Sequence, residues 1–211
     1  IHDFARRQVA DALARLTPRQ RGTVVEGLGL YADALAAGGE AEPEPPAVTV
    51  EAGYRPGALA RCAEMHGLYY ARTAGFGRSF EALVASGLAE FSARLDRPCN
   101  AIWLAVRGER VVGTVAIDGE DLGPGTAHLR WFIVDDEIRG HGAGRALLAQ
   151  AVAFCDRQGF GETHLWTFRG LDAARHLYEA HGFVLAEERA GRQWGTQVME
   201  QRFVRSPGGR P

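Results

Sequence analysis

Arg139-Gly140-His141-Gly142-Ala143-Gly144 is the stretch of this chain best equipped for chemistry. Its glycines let the backbone come close to a ligand and turn successive N–H groups into one concavity. A strand-like run ends just before it at Val134, and a helix-like run continues through Leu147 and Leu148. The turn therefore opens a helix, whose N-terminus adds partial positive charge at the same place. A diphosphate suits such a cradle, with Arg139, His141 and Arg145 able to add side-chain contacts. A tight turn that only packs helix against strand would use the same glycines, and the spacing alone does not separate the two. No G-K-[ST] follows, so this is not a P-loop, and no long βαβ run precedes it, as a dinucleotide-binding fingerprint requires. The three cysteines, Cys62, Cys99 and Cys155, are odd in number and widely spaced. They argue against a disulfide framework or a zinc site and fit buried thiols in a reducing, cytoplasmic compartment. None has an adjacent histidine arrangement that demands covalent catalysis.

The elements that must position this turn follow from periodicity. Residues 1–38 read as two helices. In the first, Phe4, Val9, Leu13 and Leu16 share a face. The second opens with Thr17-Pro18-Arg19-Gln20, a capping box with proline at N1, and carries Val24, Val25, Leu28, Tyr31 and Leu35 as its apolar stripe until Gly38-Gly39. Two such helices cannot enclose a core by themselves, so their stripes require a partner, whether sequence upstream, the rest of the chain or a second copy, and a dimer or higher assembly is expected. Residues 39–46 are a proline- and glutamate-rich linker. Beyond it come a strand at Val48–Glu51, helices at Pro56–Thr73 and Ser79–Leu95, and two strands, Ala101–Val106 and Val111–Ile117, around a hairpin turn. A strand at His128–Val134, the glycine turn and a helix over Arg145–Gln158 follow. Thr163–Phe168, a helix at Asp172–His181, and the strands Phe183–Glu188 and Gln197–Phe203 complete the series, leaving residues 205–211 as a tail. Strict alternation along the third of the central strands places His128, Arg130, Phe132 and Val134 on one face. Hairpins flank a single βαβα segment, so the fold class is α/β (α+β mixed), a mixed sheet with helices on both faces preceded by a short helical hairpin.

Composition bounds the function. At 211 residues the chain can bury roughly 70% of its extended surface. Apolar residues make up 46% and charged residues 24%, which excludes wholesale disorder. The net charge of -2 supplies no general affinity for nucleic acid or anionic lipid. No run of apolar residues reaches the length of a membrane span.

The region around the glycine turn resembles the acyl-CoA site of GNAT-type N-acetyltransferases, whose pattern is [Q/R]-x-x-G-x-[G/A]. Arg139, Gly142 and Gly144 match it, and Val134-Asp135-Asp136-Glu137-Ile138 resembles the family's approach to the loop. Ala174-Arg175-His176-Leu177-Tyr178-Glu179-Ala180-His181-Gly182-Phe183 is similar to the family's A-x-x-L-Y-[E]-x-x-G-F signature. The resemblance covers roughly residues 48–204 and implies a mostly antiparallel central sheet. It lacks the family's asparagine before the tyrosine, where Leu171, Asp172 and Ala173 stand instead. Residues 1–38 look like the last dimerisation helices of MarR-type repressors, a module that a subset of these acetyltransferases carries upstream. The segment from His66-Gly67-Leu68-Tyr69-Tyr70 to Phe80-Glu81 resembles that subset too. DNA would then be read only by a module preceding Ile1.

The resemblance implies acetyl-CoA as cofactor and an amine of a small molecule or amino acid as acceptor, attacking the thioester directly. Phe132, Ile133, Val134, Arg139, Gly140, His141, Gly142, Ala143, Gly144, Arg145 and Ala173 are the cofactor-binding candidates. Tyr178 matches the family's proton donor to the departing thiolate; as a residue between Leu177 and Phe183 it also reads as a core tyrosine. The family's fourth strand, splayed from its neighbour, would expose N–H groups near Phe132–Val134 to the carbonyl and the pantetheine arm. Counting back to the position of the family's glutamate base gives His128, an imidazole able to take a proton at neutral pH. Glu81 is a second candidate, either overhanging the acceptor or simply capping a helix dipole. Tyr69, Tyr70, Arg130, Trp131, Trp166 and Phe168 are candidate acceptor contacts, and no metal is implied. The rival reading is an acyl-CoA sensor that reports to a repressor module.

Overall fold

The computed structural model describes residues 9–36 and 46–207. The start of the first expected helix with Phe4, the Gly38-Gly39 stop, the linker up to Pro45 and the end of the tail lie outside the described residues. The chain divides into two compact units, Ile1–Pro45 and Pro46–Pro211. In the first, helical backbone at residues 9–14 is followed by α1 (Pro18–Ala36). The expected capping box forms: the Thr17 N–H donates to Gln20 Oε1 at 3.0 Å and the Gln20 N–H to Thr17 Oγ1 at 3.4 Å. Val25, Leu28, Tyr31 and Leu35 are exposed along α1.

The second unit holds β1 (Val48–Ala52), α2 (Ala58–Ala74), α3 (Arg78–Ser92), β2 (Ala101–Arg107), β3 (Arg110–Asp118) and β4 (Thr126–Val134). A 3₁₀ turn at Asp136–Ile138 leads to α4 (Ala143–Gln158), then β5 (Glu162–Phe168), α5 (Asp172–Ala180), β6 (Val184–Gly191) and β7 (Val198–Arg205). One seven-stranded sheet takes the order β1-β2-β3-β4-β5-β7-β6, with β4–β5 its parallel pair and the other pairs antiparallel. Alternation on β2 sends Ile102, Leu104 and Val106 towards α2 and α3, and Trp103 and Ala105 towards α4. Both faces of the central strands are therefore covered, which explains their unbroken apolar sequence.

Two irregularities in β4 shape the site. Its pairing with β5 covers only Thr126–His128 against Glu162–His164, so the strands part beyond His128. Its register with β3 slips between Thr114 and Ala116, and Trp131 takes φ +48. The Thr114 hydroxyl donates to the Trp131 carbonyl at 2.7 Å and holds this bulge in place. The extra residue reverses the facing of everything after it. His128 and Arg130 face the same side as Trp131, whereas Phe132 and Val134 pack with α4 in the opposite core. The expectation that His128, Arg130, Phe132 and Val134 share one face is thus corrected, because strict alternation fails at a bulge.

Gly119, where β3 turns towards β4, admits no side chain. A Cβ there would lie 2.5 Å from the Cys99 carbonyl oxygen and 2.6 Å from Phe160 Cζ. Gly119→Ala should destabilise the fold by about 1–3 kcal/mol. For a domain of this size each kcal/mol lowers Tm by about 2–4 °C, so thermal denaturation reads the effect directly.

Candidate functional site

The glycine turn joins β4 to α4 through two left-handed residues, Gly140 at φ +84 and Gly142 at φ +83. Gly142 is the N-cap of α4, and no side chain caps the helix. The first N–H groups of α4, from Ala143 onward, have no partner within the helix and are free for an anion. Asp135, Asp136 and Glu137 precede the turn and would repel one. Arg61 and Arg110 pair with Asp135, Arg72 and Arg139 with Asp136, and Arg107 and Arg110 with Glu137, so their charge is compensated.

A groove of about 760 Å³ runs from this turn along the parted end of β4 to the start of α5. Of the expected cofactor contacts, Phe132, Ile133, Val134, Arg139, Gly140, Gly142, Ala143, Gly144, Arg145 and Ala173 line it. His141 does not; its Nδ1 sits 3.1 Å from the Arg139 carbonyl oxygen, because the left-handed glycines on either side turn it outward. Leu171, Asp172 and Ala174 complete the wall where the family's asparagine is absent. The Arg139 guanidinium stacks 4.0 Å above the Tyr69 ring and donates to the Val134 carbonyl at 3.3 Å, bracing the turn from behind. Tyr69 consequently lines this groove and not the second cavity, where the other candidate acceptor contacts stand, a correction to its expected place.

A second cavity of about 370 Å³ lies on the far side of the β4–β5 gap. Tyr70, Phe132 and Tyr178 line both spaces and mark their junction. Tyr178 is buried, its ring 5.8 Å from that of Phe132 and 5.9 Å from that of Phe203. Burial, and secondarily Tyr70, pushes its phenol well above the ordinary range, so the hydroxyl keeps its proton. Among the described residues nothing hydrogen-bonds it, and it is not a sealed unpartnered atom, which leaves it facing the cavity.

His128 lines the second cavity, with Nδ1 2.5 Å from Asp121 Oδ2 and its ring edge-on to Trp166 at 4.7 Å. Burial lowers the imidazole below its ordinary value, partly offset by the Asp121 hydrogen bond. Nδ1–H therefore donates to Asp121, and the neutral ring presents an Nε2 lone pair. The hydrogen bond from His128 is also the main reason the Asp121 carboxyl is held below its usual value. Behind them Asp118 is fully buried, gripped by Arg94 at 2.6 and 3.0 Å, and accepts the Glu120 and Asp121 N–H groups at 3.2 Å. This folds the loop that delivers Asp121.

Tyr70, Arg130, Trp131, Trp166 and Phe168, the other candidate acceptor contacts, also line this cavity. Glu81 does not: its carboxylate lies over Gly67 of α2, turned there by the helical position it occupies, and the expectation that it overhangs the acceptor is corrected. Periodicity missed Asp121, Asp118, His66, Gln193 and Trp194. His66 is buried, with Nδ1 2.8 Å from the Cys62 carbonyl oxygen, and burial pushes it down to about 4, so it lines the cavity as a neutral ring. Trp194 arrives from the β6–β7 connection and packs on Phe168 at 5.6 Å. An aspartate-led turn, Asp118-Gly119-Glu120-Asp121, was the one local signal available for the dyad.

The model of the Acetyltransferase (GNAT) family matches residues 60–183, more than half of the chain, and leaves residues 1–38 outside. A human protein, N-acetyltransferase 8B, is 34% identical over 87 residues, or 40% of this chain, which spans only 38% of that protein's length. Among solved structures, the yncA protein of Salmonella typhimurium with its cofactor acetyl-CoA superposes with a TM-score of 0.61. It is 18% identical, covering 78% of this chain and 96% of that one. The ribosomal-protein-alanine N-acetyltransferase of Brucella melitensis gives 0.60 at 17% identity, over 75% and 99% of the two chains. A GNAT-family acetyltransferase of Staphylococcus aureus Mu50 gives 0.60 at 18%, over 76% and 99%. At these identities the likeness is one of fold.

Proposed function

Because the chain belongs to the GNAT family of acetyltransferases, we propose that it transfers an acetyl group from acetyl-CoA to a primary amine of a small molecule or amino acid. The observation that carries this reading is the position of Tyr178, a protonated and unbonded phenol at the one place where the uncapped helix groove meets the acceptor cavity. The groove fits the cofactor: its N–H groups at Ala143–Arg145 lack caps, and two positive-φ glycines keep side chains off the approach. These amides and Arg145 would hold the diphosphate, and the unpaired edge of Phe132–Val134 the pantetheine arm.

Bound there, acetyl-CoA supplies an activated acyl carbon. The residues of the chain manage the protons. His128 Nε2 takes one from the amine as its nitrogen bonds that carbon, and Asp121 stabilises the resulting imidazolium. The Tyr178 hydroxyl would give a proton to the departing sulfur and regain one through solvent as the His128 imidazolium gives its own up, which closes the proton balance. Backbone N–H groups at the parted end of β4, left without partners on β5 beyond His128, would be available to the acyl carbonyl oxygen. For α1, the exposed Val25, Leu28, Tyr31 and Leu35 support assembly as a homodimer.

The test is an acceptor screen with acetyl-CoA read by thiol release. Release with an amine supports the enzyme, whereas tight acetyl-CoA binding without release from any amine favours the sensor. In the active enzyme the acid limb of kcat/KM, set by a lowered His128, should fall below about pH 6.5. Asp121→Asn removes the anion that favours the imidazolium, so the limb should move to still lower pH as kcat falls. His128→Gln should abolish the limb together with about a hundredfold or more of kcat.

A further inference from the structure

We propose that the acceptor is a zwitterionic α-amino acid with a bulky apolar side chain, its carboxylate taken by Arg130. This rests on the transferase reading and names its substrate class. Phe76, Phe80, Trp131, Trp166, Phe168 and Trp194 make most of the acceptor cavity a wall of rings, suited to an apolar body. Among the described residues no carboxylate lines it. A polyamine or a lysine-rich tail would bring extra cations against a wall with nothing to pair them, and is disfavoured on that ground.

Among the described lining residues Arg130 is the one fixed charge, since burial lowers both the His66 and the His128 imidazoles towards the neutral form. Its guanidinium stacks 4.1 Å above the Trp131 ring, and Nη2 lies 3.1 Å from where a Cβ on Gly87 of α3 would stand. The missing side chain at Gly87 is what gives the guanidinium its slot. Only Nη1 reaches carboxylates, at 3.4 Å to Asp118 and 3.5 Å to Asp121, both long. Nε and Nη2 make no hydrogen bond among the described residues and remain a fork for a planar carboxylate.

Charge and spacing agree. Arg94 and Arg130 balance Asp118 and Asp121, so a zwitterion enters this end of the cavity without upsetting neutrality. His128 and Arg130 share one face and converge on a single oxygen, Asp121 Oδ2, at 2.5 Å from His128 Nδ1 and 3.5 Å from Arg130 Nη1, so imidazole and guanidinium stand side by side at this end of the cavity. Neighbouring groups of this kind suit a ligand whose amine and carboxylate are joined through one carbon, as in an α-amino acid, rather than one whose charges are far apart. The carboxylate at Arg130 therefore sets the amine at His128, with the ring left in the aromatic wall.

The experiment compares L-phenylalanine with phenethylamine, which differ only in the carboxylate. We expect kcat/KM about tenfold to a hundredfold higher for the amino acid, most of it in KM. Arg130→Gln should reduce that ratio to near one. Independently of turnover and of any variant, quenching of the fluorescence of Trp131, Trp166 and Trp194 should saturate at a concentration at least about tenfold lower for phenylalanine. Equal handling of the two ligands in both readouts, a ratio that survives Arg130→Gln, or a preference for spermidine would overturn the proposal while leaving the transferase reading in place. Selective quenching by phenylalanine with no thiol release from any amine would uphold the carboxylate site and sink the transferase reading instead.

Discussion

Gly142→Val is expected to remove acetyl-CoA binding while the protein stays folded. Gly142 sits at φ +83, where a β-branched residue costs on the order of 1–3 kcal/mol. Its Cβ would meet no protein atom within 4 Å, so the added methyls disturb no core. They would stand instead in the groove, over the uncapped N–H groups of Ala143–Arg145. Hydrogen bonds to an anion contribute about 1.5–3 kcal/mol each, and losing two of them raises Kd by at least about a hundredfold. Calorimetric titration with acetyl-CoA measures this, alongside circular dichroism to confirm the fold. Micromolar affinity surviving in the variant would show that the diphosphate rests elsewhere, and the roles proposed for Tyr178 and His128 would go with it.

Tyr178→Phe should lower kcat by about 10²–10⁴-fold, the usual range for losing a positioned proton donor. The ring contacts with Phe132, Phe183 and Phe203 are all retained. The hydroxyl bonds no described residue, so its removal leaves no buried partner stranded and Tm should barely move. Acetyl-CoA affinity should also change little, because the proposed diphosphate cradle lies at the other end of the groove. A variant with unchanged turnover would make Tyr178 a packing residue and move the proton donor elsewhere. Among the residues at the junction, Tyr70 would then be the next to test, since it lines both cavities and burial raises its phenol as well.

Both variants sit where local sequence already pointed, and the reason is physical. A left-handed turn that starts a helix needs glycines at fixed offsets, so Gly140 and Gly142 announce it within a few residues. The same holds for the Thr17–Gln20 capping box, the αL glycine Gly75 that closes α2, and the two-residue turn at Gly108-Glu109 between β2 and β3. Each depends on interactions between near neighbours along the chain, and alternation on β2 needs nothing more than the pleat.

The acceptor side is a different matter. A tryptophan at φ +48 has no local motive; the bulge exists because β3 slips in register and the Thr114 hydroxyl, seventeen residues away, takes hold of the Trp131 carbonyl. That single residue sends His128 and Arg130 to one face and Phe132 to the other, an outcome no period-two reading contains. Asp121 reaches His128 only because buried Asp118 and Arg94 fold the intervening loop, and Trp194 reaches the cavity only because β7 lies between β5 and β6. Turns and caps are short-range and were readable from residue types. The meeting of the His128 imidazole, the Asp121 carboxylate and the Arg130 guanidinium depends on which distant strands meet and in what register, and the packed sheet alone settles that.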